Sequence, residues 1–276
     1  MIFLGSNAKH FGIGKEVFIK RFPDNEIYVR LTEKPQGKVY YIQSFFPEQN
    51  SSLIEAFLTI DALYNYGARE VVLIAPYFPY TKQDKIFLEG EALSVRALIK
   101  LFSGIGIAEM HMINAHFLKQ EGVYHEWGVE IFNHNAAPLL KEKINADLFI
   151  LPGTGAKDLL KGKNVVSVET RRSEKYEEKE QEIYRKPNVF LEDLHVEGKN
   201  IAVVDDMLAT GSTMAETCKK LKEMGVSNVY ACAVHGLFVG NAMEKLKVAD
   251  EIIVTDTIKS RYSKVSVLPI IKNIVD

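Results

Sequence analysis

The segment Val203-Val204-Asp205-Asp206-Met207-Leu208-Ala209-Thr210-Gly211-Ser212-Thr213 gathers more chemically useful groups than any other stretch of this chain. An apolar run leads into two adjacent carboxylates, then a Thr-Gly-Ser-Thr turn, then a helical pattern. A turn that opens a helix presents several backbone N–H groups to one point, and here three hydroxyls join them, which suits a phosphate monoester. The carboxylates can accept hydrogen bonds from vicinal sugar hydroxyls or hold a hydrated Mg²⁺. A helix cap alone would account for Ser212 but not for the acid pair beside it. Ligands of open α/β sheets bind at the carboxyl ends of the strands, where this segment would lie.

The elements that must position it alternate along the chain. Short β-branched runs predict strands over Ile2–Leu4, Val17–Lys20, Glu26–Leu31, Lys38–Gln43, Glu70–Ala75 and Glu109–Ile113, and again over Asp147–Leu151, Asn164–Val168, Asn200–Val204, Asn228–Val234 and Glu251–Val254. Between them, Ser52 and Glu55 form a capping-box pattern, and Leu53, Phe57, Ile60 and Leu63 fall at helical spacing before Gly67. Further helices are expected over Ser94–Phe102 and Ser212–Met224. The alternation predicts an α/β protein with mainly parallel sheets flanked by helices. It pauses near Phe132–Leu140, which places a domain boundary there and gives domains 1–134 and 135–276, with the C-terminal segment able to pack on the first. One segment breaks the rhythm: eleven of the sixteen residues Arg171–Lys186 are charged. Two readings stay open for it, a solvated surface hairpin or helix, and a lid carrying cations to an anionic substrate.

Composition removes several function classes. With 34 basic and 36 acidic side chains the net charge is −2, without the basic excess of a duplex nucleic-acid binder. No apolar run approaches the ~18 residues of a membrane span, and residues 1–15 lack a signal-peptide pattern, so a cytoplasmic protein is expected. Cys218 and Cys232 cannot alone build a disulfide framework or a four-ligand zinc site. There is no Gly-x₄-Gly-Lys-Ser/Thr loop and no Gly-x-Gly-x-x-Gly after a strand, and Gly12-Ile13-Gly14-Lys15 has neither spacing.

The Val203–Thr213 segment resembles the ribose-phosphate loop of the type I phosphoribosyltransferase fold, and other segments narrow the resemblance. Phe22-Pro23-Asp24-Asn25-Glu26 is similar to the Phe-x-Asp-Gly-Glu segment of ribose-phosphate pyrophosphokinases, which reaches the adenine of ATP on a neighbouring subunit. Ala75–Asp84 is similar to their Pro-Tyr-x-x-Tyr-x-Arg-Gln-Asp stretch, and Gly90-Glu91-Ala92-Leu93-Ser94 to the segment after it. Val234-His235-Gly236-Leu237-Phe238 and Val254-Thr255-Asp256-Thr257 resemble two signatures near the C-terminus. The matches are ordered and span nearly the whole chain.

That resemblance implies two phosphoribosyltransferase-like α/β domains, an ATP-site domain over 1–134 and a ribose-phosphate domain over 135–276. It implies transfer of the diphosphoryl group of ATP to ribose 5-phosphate with Mg²⁺, in a homo-oligomer of at least two chains. Phe22, Asp24, Asn25, Glu26, Lys82 and Gln83 would serve ATP, and His116 the metal. Asp205, Asp206, Ala209, Thr210, Gly211, Ser212 and Thr213 would hold ribose 5-phosphate. Arg171 and Arg172 would supply cations to the transferring group. Five positions depart from the family pattern: Asn25 replaces a Gly, Lys82 an Arg, and Asn114 and Gly153 each an acid. Aligned on Arg172, Thr170 stands where the family has a Lys. These departures favour one rival, a non-catalytic regulatory paralogue that binds ribose phosphate or nucleotide. A phosphoribosyltransferase acting on a base is a second rival, disfavoured by the ATP-site resemblance of the N-terminal half.

Overall fold

The computed structural model describes residues 1–153, 156–172, 187–189, 191 and 194–276. The chain divides into two compact units: Met1–Asn135 with Thr257–Lys259 and Val267–Asp276, and Ala136–Asp256 with Ser260–Ser266. Each is a mainly parallel sheet with helices, the mixed α/β class expected.

In the first unit the strands are β1 (Ile2–Leu4), β2 (Lys15–Glu16), a separate hairpin of β3 (Phe18–Arg21) and β4 (Ile27–Arg30), β5 (Gly37–Ile42), β6 (Ala68–Ala75), β7 (Glu109–Ile113), β8 (Gly122–Glu126) and β9 (Val129–His134). Seven of them form one sheet in the order β2-β1-β5-β6-β7-β9-β8, parallel throughout except where β8 meets β9. Val71 to Ala75 of β6 are buried without a break, as a strand covered on both faces requires. Helices α1 (Gln49–Tyr66) and α2 (Ser94–Gly104) supply Ala56, Ile60, Leu63, Val95, Ile99 and Phe102 to the core beneath.

Two sequence expectations change here. Ser52 and Glu55 do not cap α1, which starts earlier, at Gln49, with no side-chain cap. Both are buried within its first two turns. Glu55 accepts hydrogen bonds from the Ser6 amide at 2.8 Å, the Ser6 hydroxyl at 2.6 Å and Gln43 Nε2 at 3.0 Å, while Asn7 Nδ2 donates to Ser52 Oγ at 3.0 Å. The pair ties down the turn after β1, and this tertiary demand outweighs local capping. The β8–β9 hairpin was not expected. Its two-residue turn, Trp127-Gly128, has φ values of 50° and 88°, the positive pair a tight right-twisted hairpin needs. A tryptophan there gives no sequence signal for it.

The second unit holds α3 (Ala137–Lys143), β10 (Leu148–Pro152), β11 (Val165–Val168), β12 (Thr170–Arg172), β13 (Pro187–Val189), β14 (Asn200–Leu208), α4 (Ser212–Glu223), β15 (Asn228–Gly236), α5 (Ala242–Lys245), β16 (Glu251–Thr255) and β17 (Ser263–Val265). Its sheet is all parallel, in the order β11-β10-β14-β15-β16-β17. Strand β14 runs four residues past the predicted Val204, because Asp205, Met207 and Leu208 remain in register with Ala233, His235 and Gly236 of β15. Cys218 and Cys232 are free and buried, and burial pushes the Cys218 thiol up to about 12. The closing helix α6 (Leu268–Val275) belongs to the first unit.

Strands β7 and β9 carry a half-buried ionisable cluster. His111 Nδ1 and His134 Nε2 are 2.9 Å apart, and the opposite nitrogen of His111 lies 2.9 Å from Glu109. Lys38 bridges Glu109 and Glu70, each at 2.9 Å, and the His111 ring stacks on Phe132. Burial, reinforced for His134 by the facing His111, holds the His134 imidazole down at about 4. Burial also lowers His111, against the opposing pull of Glu109 and Glu130. The native state therefore favours neutral rings, and protons bind the unfolded chain first as pH falls. Stability should be complete above the ordinary value near 6.5 and should decline as pH drops toward about 4. Replacing His134 with Phe should flatten that decline, read as the change in urea midpoint between neutral and acidic buffer.

Candidate functional site

Strand β14 is paired on both sides, by β10 and β15, and brings Asp205 and Asp206 to its carboxyl-terminal part. Both are half-buried, and the Asp206 amide donates to Asp205 Oδ1 at 2.9 Å. The chain then turns through Ala209–Gly211 into α4. Gly211 takes φ 69° at the helix start, and its carbonyl accepts from the Ala215 amide at 2.8 Å. A Cβ at Gly211 would lie 3.2 Å from Leu246 Cγ, so the turn is both left-handed and tightly covered. Thr210 is exposed, and Ser212 and Thr213 are half-buried on the first turn of α4. Thr210 Oγ1 and Ser212 Oγ stand 3.5 Å apart. Amides at the start of a twelve-residue helix and converging hydroxyls make a cradle for a compact anion.

The segment after β15 fixes the cradle through main-chain bonds. The Leu237 and Phe238 amides both donate to the Leu208 carbonyl, at 2.9 and 3.0 Å, and the Val239 amide donates to the Ala209 carbonyl at 3.0 Å. Phe238 adopts φ 51° to do so, and a Cβ at Gly236 would meet the Phe238 ring at 2.6 Å. The Val234–Phe238 signature thus has a mechanical role beside the loop. A cation that sequence reading missed also arrives here: Lys245 Nζ, at the end of α5, donates to Ser212 Oγ at 2.8 Å. The two residues are 33 apart in sequence and share no motif.

In the first unit the remaining candidates occupy three segments. Phe22–Glu26 is the turn of the β3–β4 hairpin, closed by Phe22 N to Glu26 O and Asn25 N to Phe22 O, both 2.9 Å. Asn25 sits at φ 74°, the conformation a glycine would take, and its side chain accepts from Arg21 at 3.0 Å. Asp24 accepts from the Glu26 amide at 3.2 Å. Phe22 is 44% exposed and meets Tyr28 edge-on, and Tyr28 in turn meets exposed Phe18. Lys82, exposed, and Gln83, half-buried, lie on the loop after β6, and exposed His116 on the loop after β7. Because β6 and β7 are parallel neighbours, these two loops leave from the same edge of the sheet. Asn114, with φ 42°, is buried; its amide donates to the His134 carbonyl at 2.8 Å and its carboxamide to Asn135 at 2.9 Å.

Gly153 follows β10 with φ 84° and its amide donates to the Val168 carbonyl at 2.9 Å, while residues 154 and 155 of that loop lie outside the described residues. Thr170, Arg171 and Arg172 form β12, whose backbone pairs antiparallel with Val189, Asn188 and Pro187. The side chains of Arg171 and Arg172 and the charge-dense stretch 173–186, Lys175 included, lie outside the described residues. Among the described residues no group of three His, Cys, Asp or Glu side chains forms a metal cage. The two adjacent carboxylates, Asp205 and Asp206, fit a hard cation that draws the rest of its shell from water and substrate phosphates.

Parallel sheets with an acid pair and an anion cradle at a strand–helix junction define an α/β protein of a class suited to compact anions. The N-terminal domain of ribose phosphate pyrophosphokinase matches residues 8–106, and the phosphoribosyl synthetase-associated domain matches residues 163–275. The ribose-phosphate pyrophosphokinase of Pyrococcus furiosus is 34% identical, with all of both chains aligned. That of Pyrococcus abyssi is 34% identical over 96% of this chain and 94% of its own. A crystal structure of phosphoribosylpyrophosphate synthetase from Mycobacterium smegmatis superposes with a TM-score of 0.78 at 24% identity, covering 100% of this chain and 97% of that one. The chain belongs to the ribose-phosphate pyrophosphokinase family.

Proposed function

We propose that this chain transfers the β,γ-diphosphoryl group of ATP to the anomeric hydroxyl of ribose 5-phosphate. The C1 oxygen attacks the β-phosphorus, and the bond from that phosphorus to the oxygen bridging the α-phosphate breaks. AMP leaves with that oxygen, and the hydroxyl proton passes to solvent. The product is phosphoribosyl diphosphate. The observation that carries this reading is the β14–α4 junction, which is complete from Asp205 to Thr213 in a chain related to such enzymes over its full length.

Each candidate then has a task. Ala209–Thr213 hold the 5-phosphate through amides and hydroxyls, and Asp205 and Asp206 accept from the ribose hydroxyls. Lys82 and Gln83 contact the triphosphate. Phe22, with its ring exposed on the hairpin turn, covers adenine of a neighbouring subunit beside Asp24, Asn25 and Glu26. Arg171 and Arg172 neutralise charge on the group in transit, a role worth most when the cations are held in place beforehand. Asp205 and Asp206 in the second unit, and separately His116 in the first, are the candidate donors for Mg²⁺, which when bound would screen phosphate charge. Among the described residues no helix is long and apolar enough to cross a membrane. Thr170, Asn114 and Gly153 favour one second reading, a regulatory paralogue that binds the same sugar phosphate without turning it over.

Incubation with ATP, Mg²⁺ and ribose 5-phosphate should release AMP; binding without AMP would mark the regulatory paralogue. Ribose 5-phosphate should raise the melting temperature, and replacing Asp205 and Asp206 together with Ala should abolish that rise. A shift that survives the double substitution would show the cradle to be misassigned. Arg171→Ala should slow AMP formation about 10²–10³-fold with ribose 5-phosphate affinity unchanged, the usual loss for one preorganised charge-stabilising group. Thr170→Lys should then change little; a large gain would instead show that no other cation serves that position. Light scattering at micromolar concentration should show at least a dimer, and a monomer would remove Phe22, Asp24 and Glu26 from the adenine site.

A further inference from the structure

Lys245 differs from the three ion-paired lysines around α4 and α5, Lys219, Lys222 and Lys247. Lys222 pairs with Asp250 at 2.5 Å, Lys247 with Glu244 at 2.6 Å, and Lys219 with Glu223 at 3.9 Å, while Lys220 donates to the Val189 carbonyl at 2.6 Å. Lys245 is half-buried, makes no ion pair among the described residues, and spends its ammonium on a neutral hydroxyl, Ser212 Oγ at 2.8 Å. The residue after it, Leu246, is fully buried and covers Gly211, so the end of α5 is fastened onto the turn. A partly desolvated ammonium is stabilised far better by an anion than by a hydroxyl. The group it touches belongs to the anion cradle itself.

We propose that Lys245 is a direct phosphate ligand of this site, its ammonium pairing with the 5-phosphate of the bound sugar beside Ser212. This rests on the reading of Ala209–Thr213 as the ribose-phosphate cradle, and it adds a full positive charge to a site otherwise made of amides and hydroxyls. The charge reaches the cradle from a separate element, after β15, so that discrimination of ribose 5-phosphate from unphosphorylated ribose depends on α5 as well as on the loop. A phosphate dianion held by neutral donors alone would be bound more weakly, and a lysine, as a compact point charge, can follow it without a fixed fork geometry.

The test is calorimetric titration of ribose 5-phosphate into the intact protein and into Lys245→Met, Lys245→Gln and Lys245→Arg, with circular dichroism melts to establish folding. Lys245→Met and Lys245→Gln should each weaken ribose 5-phosphate binding about 10- to 100-fold, the range for losing a charged hydrogen bond. Lys245→Arg should restore most of it, and the KM for ATP should stay within about twofold in all three. Unchanged ribose 5-phosphate affinity in a folded Met or Gln variant, while the Asp205/Asp206 double variant no longer binds, overturns the role of Lys245 and leaves the cradle intact. An unmutated protein that does not bind ribose 5-phosphate overturns both. Equal weakening in the Met, Gln and Arg variants also overturns the proposal, since a packing role would not be rescued by charge.

Discussion

The architecture depends on one constraint of parallel pairing: every strand of such a sheet leaves at the same edge, and a strand paired on both sides cannot shift without breaking two ladders. Strand β14, held between β10 and β15, is such a strand. Its register places Asp205 and Asp206 just before the turn, and the turn can go only where the neighbouring chain ends permit. Those ends are fixed in their own right, since the amides of Leu237, Phe238 and Val239 close on the carbonyls of Leu208 and Ala209. The cradle is therefore held by backbone on both flanks. Backbone donors cannot rotate away as side chains do, which keeps the amides aimed with little ordering cost when a ligand arrives.

The electrostatics of the two units contrast. In the first, ionisable groups on the sheet are satisfied internally, with His111, His134, Glu109 and Lys38 in one chain of contacts. In the second, the polar groups near the strand ends include amides at a helix start, a pair of adjacent acids and an ammonium on a hydroxyl. The first arrangement sets pH tolerance; the second is suited to receiving a charged guest.

Much of this was legible in sequence because the strongest signals are local. The apolar runs of β6 and β14, the Thr-Gly-Ser turn and the helical stripe of α1 each follow from a few neighbouring residues. What escaped depends on contacts between distant ones. Ser52 and Glu55 carry the letters of a helix cap, yet Asn7 claims the side chain of Ser52, and Ser6 and Gln43 claim that of Glu55. The Trp127-Gly128 turn violates the usual Asn-Gly preference and so gave no sign of β8 and β9. Lys245 sits in an ordinary charged stretch, and only the packing of Leu246 over Gly211 brings it to Ser212. The extension of β14 through its acids was hidden for the opposite reason, since carboxylates read as loop until a neighbouring strand is seen to pair with them.

The first unit is discontinuous in the chain: it takes in residues up to Asn135 and then Thr257–Lys259 and Val267–Asp276, so that the intervening unit is nested within it. On the ribosome this order has a temporal meaning. The second unit is synthesised as a nearly unbroken stretch and can close soon after it emerges, whereas the first must wait for α6. At roughly 5–20 residues per second that delay is on the order of ten seconds. Through that interval the surface destined to meet Ile271, which is fully buried in the finished protein, lacks its cover. The last helix is thus the element whose arrival turns a nascent chain into a completed first unit, and the nested order makes the half made first the half finished last.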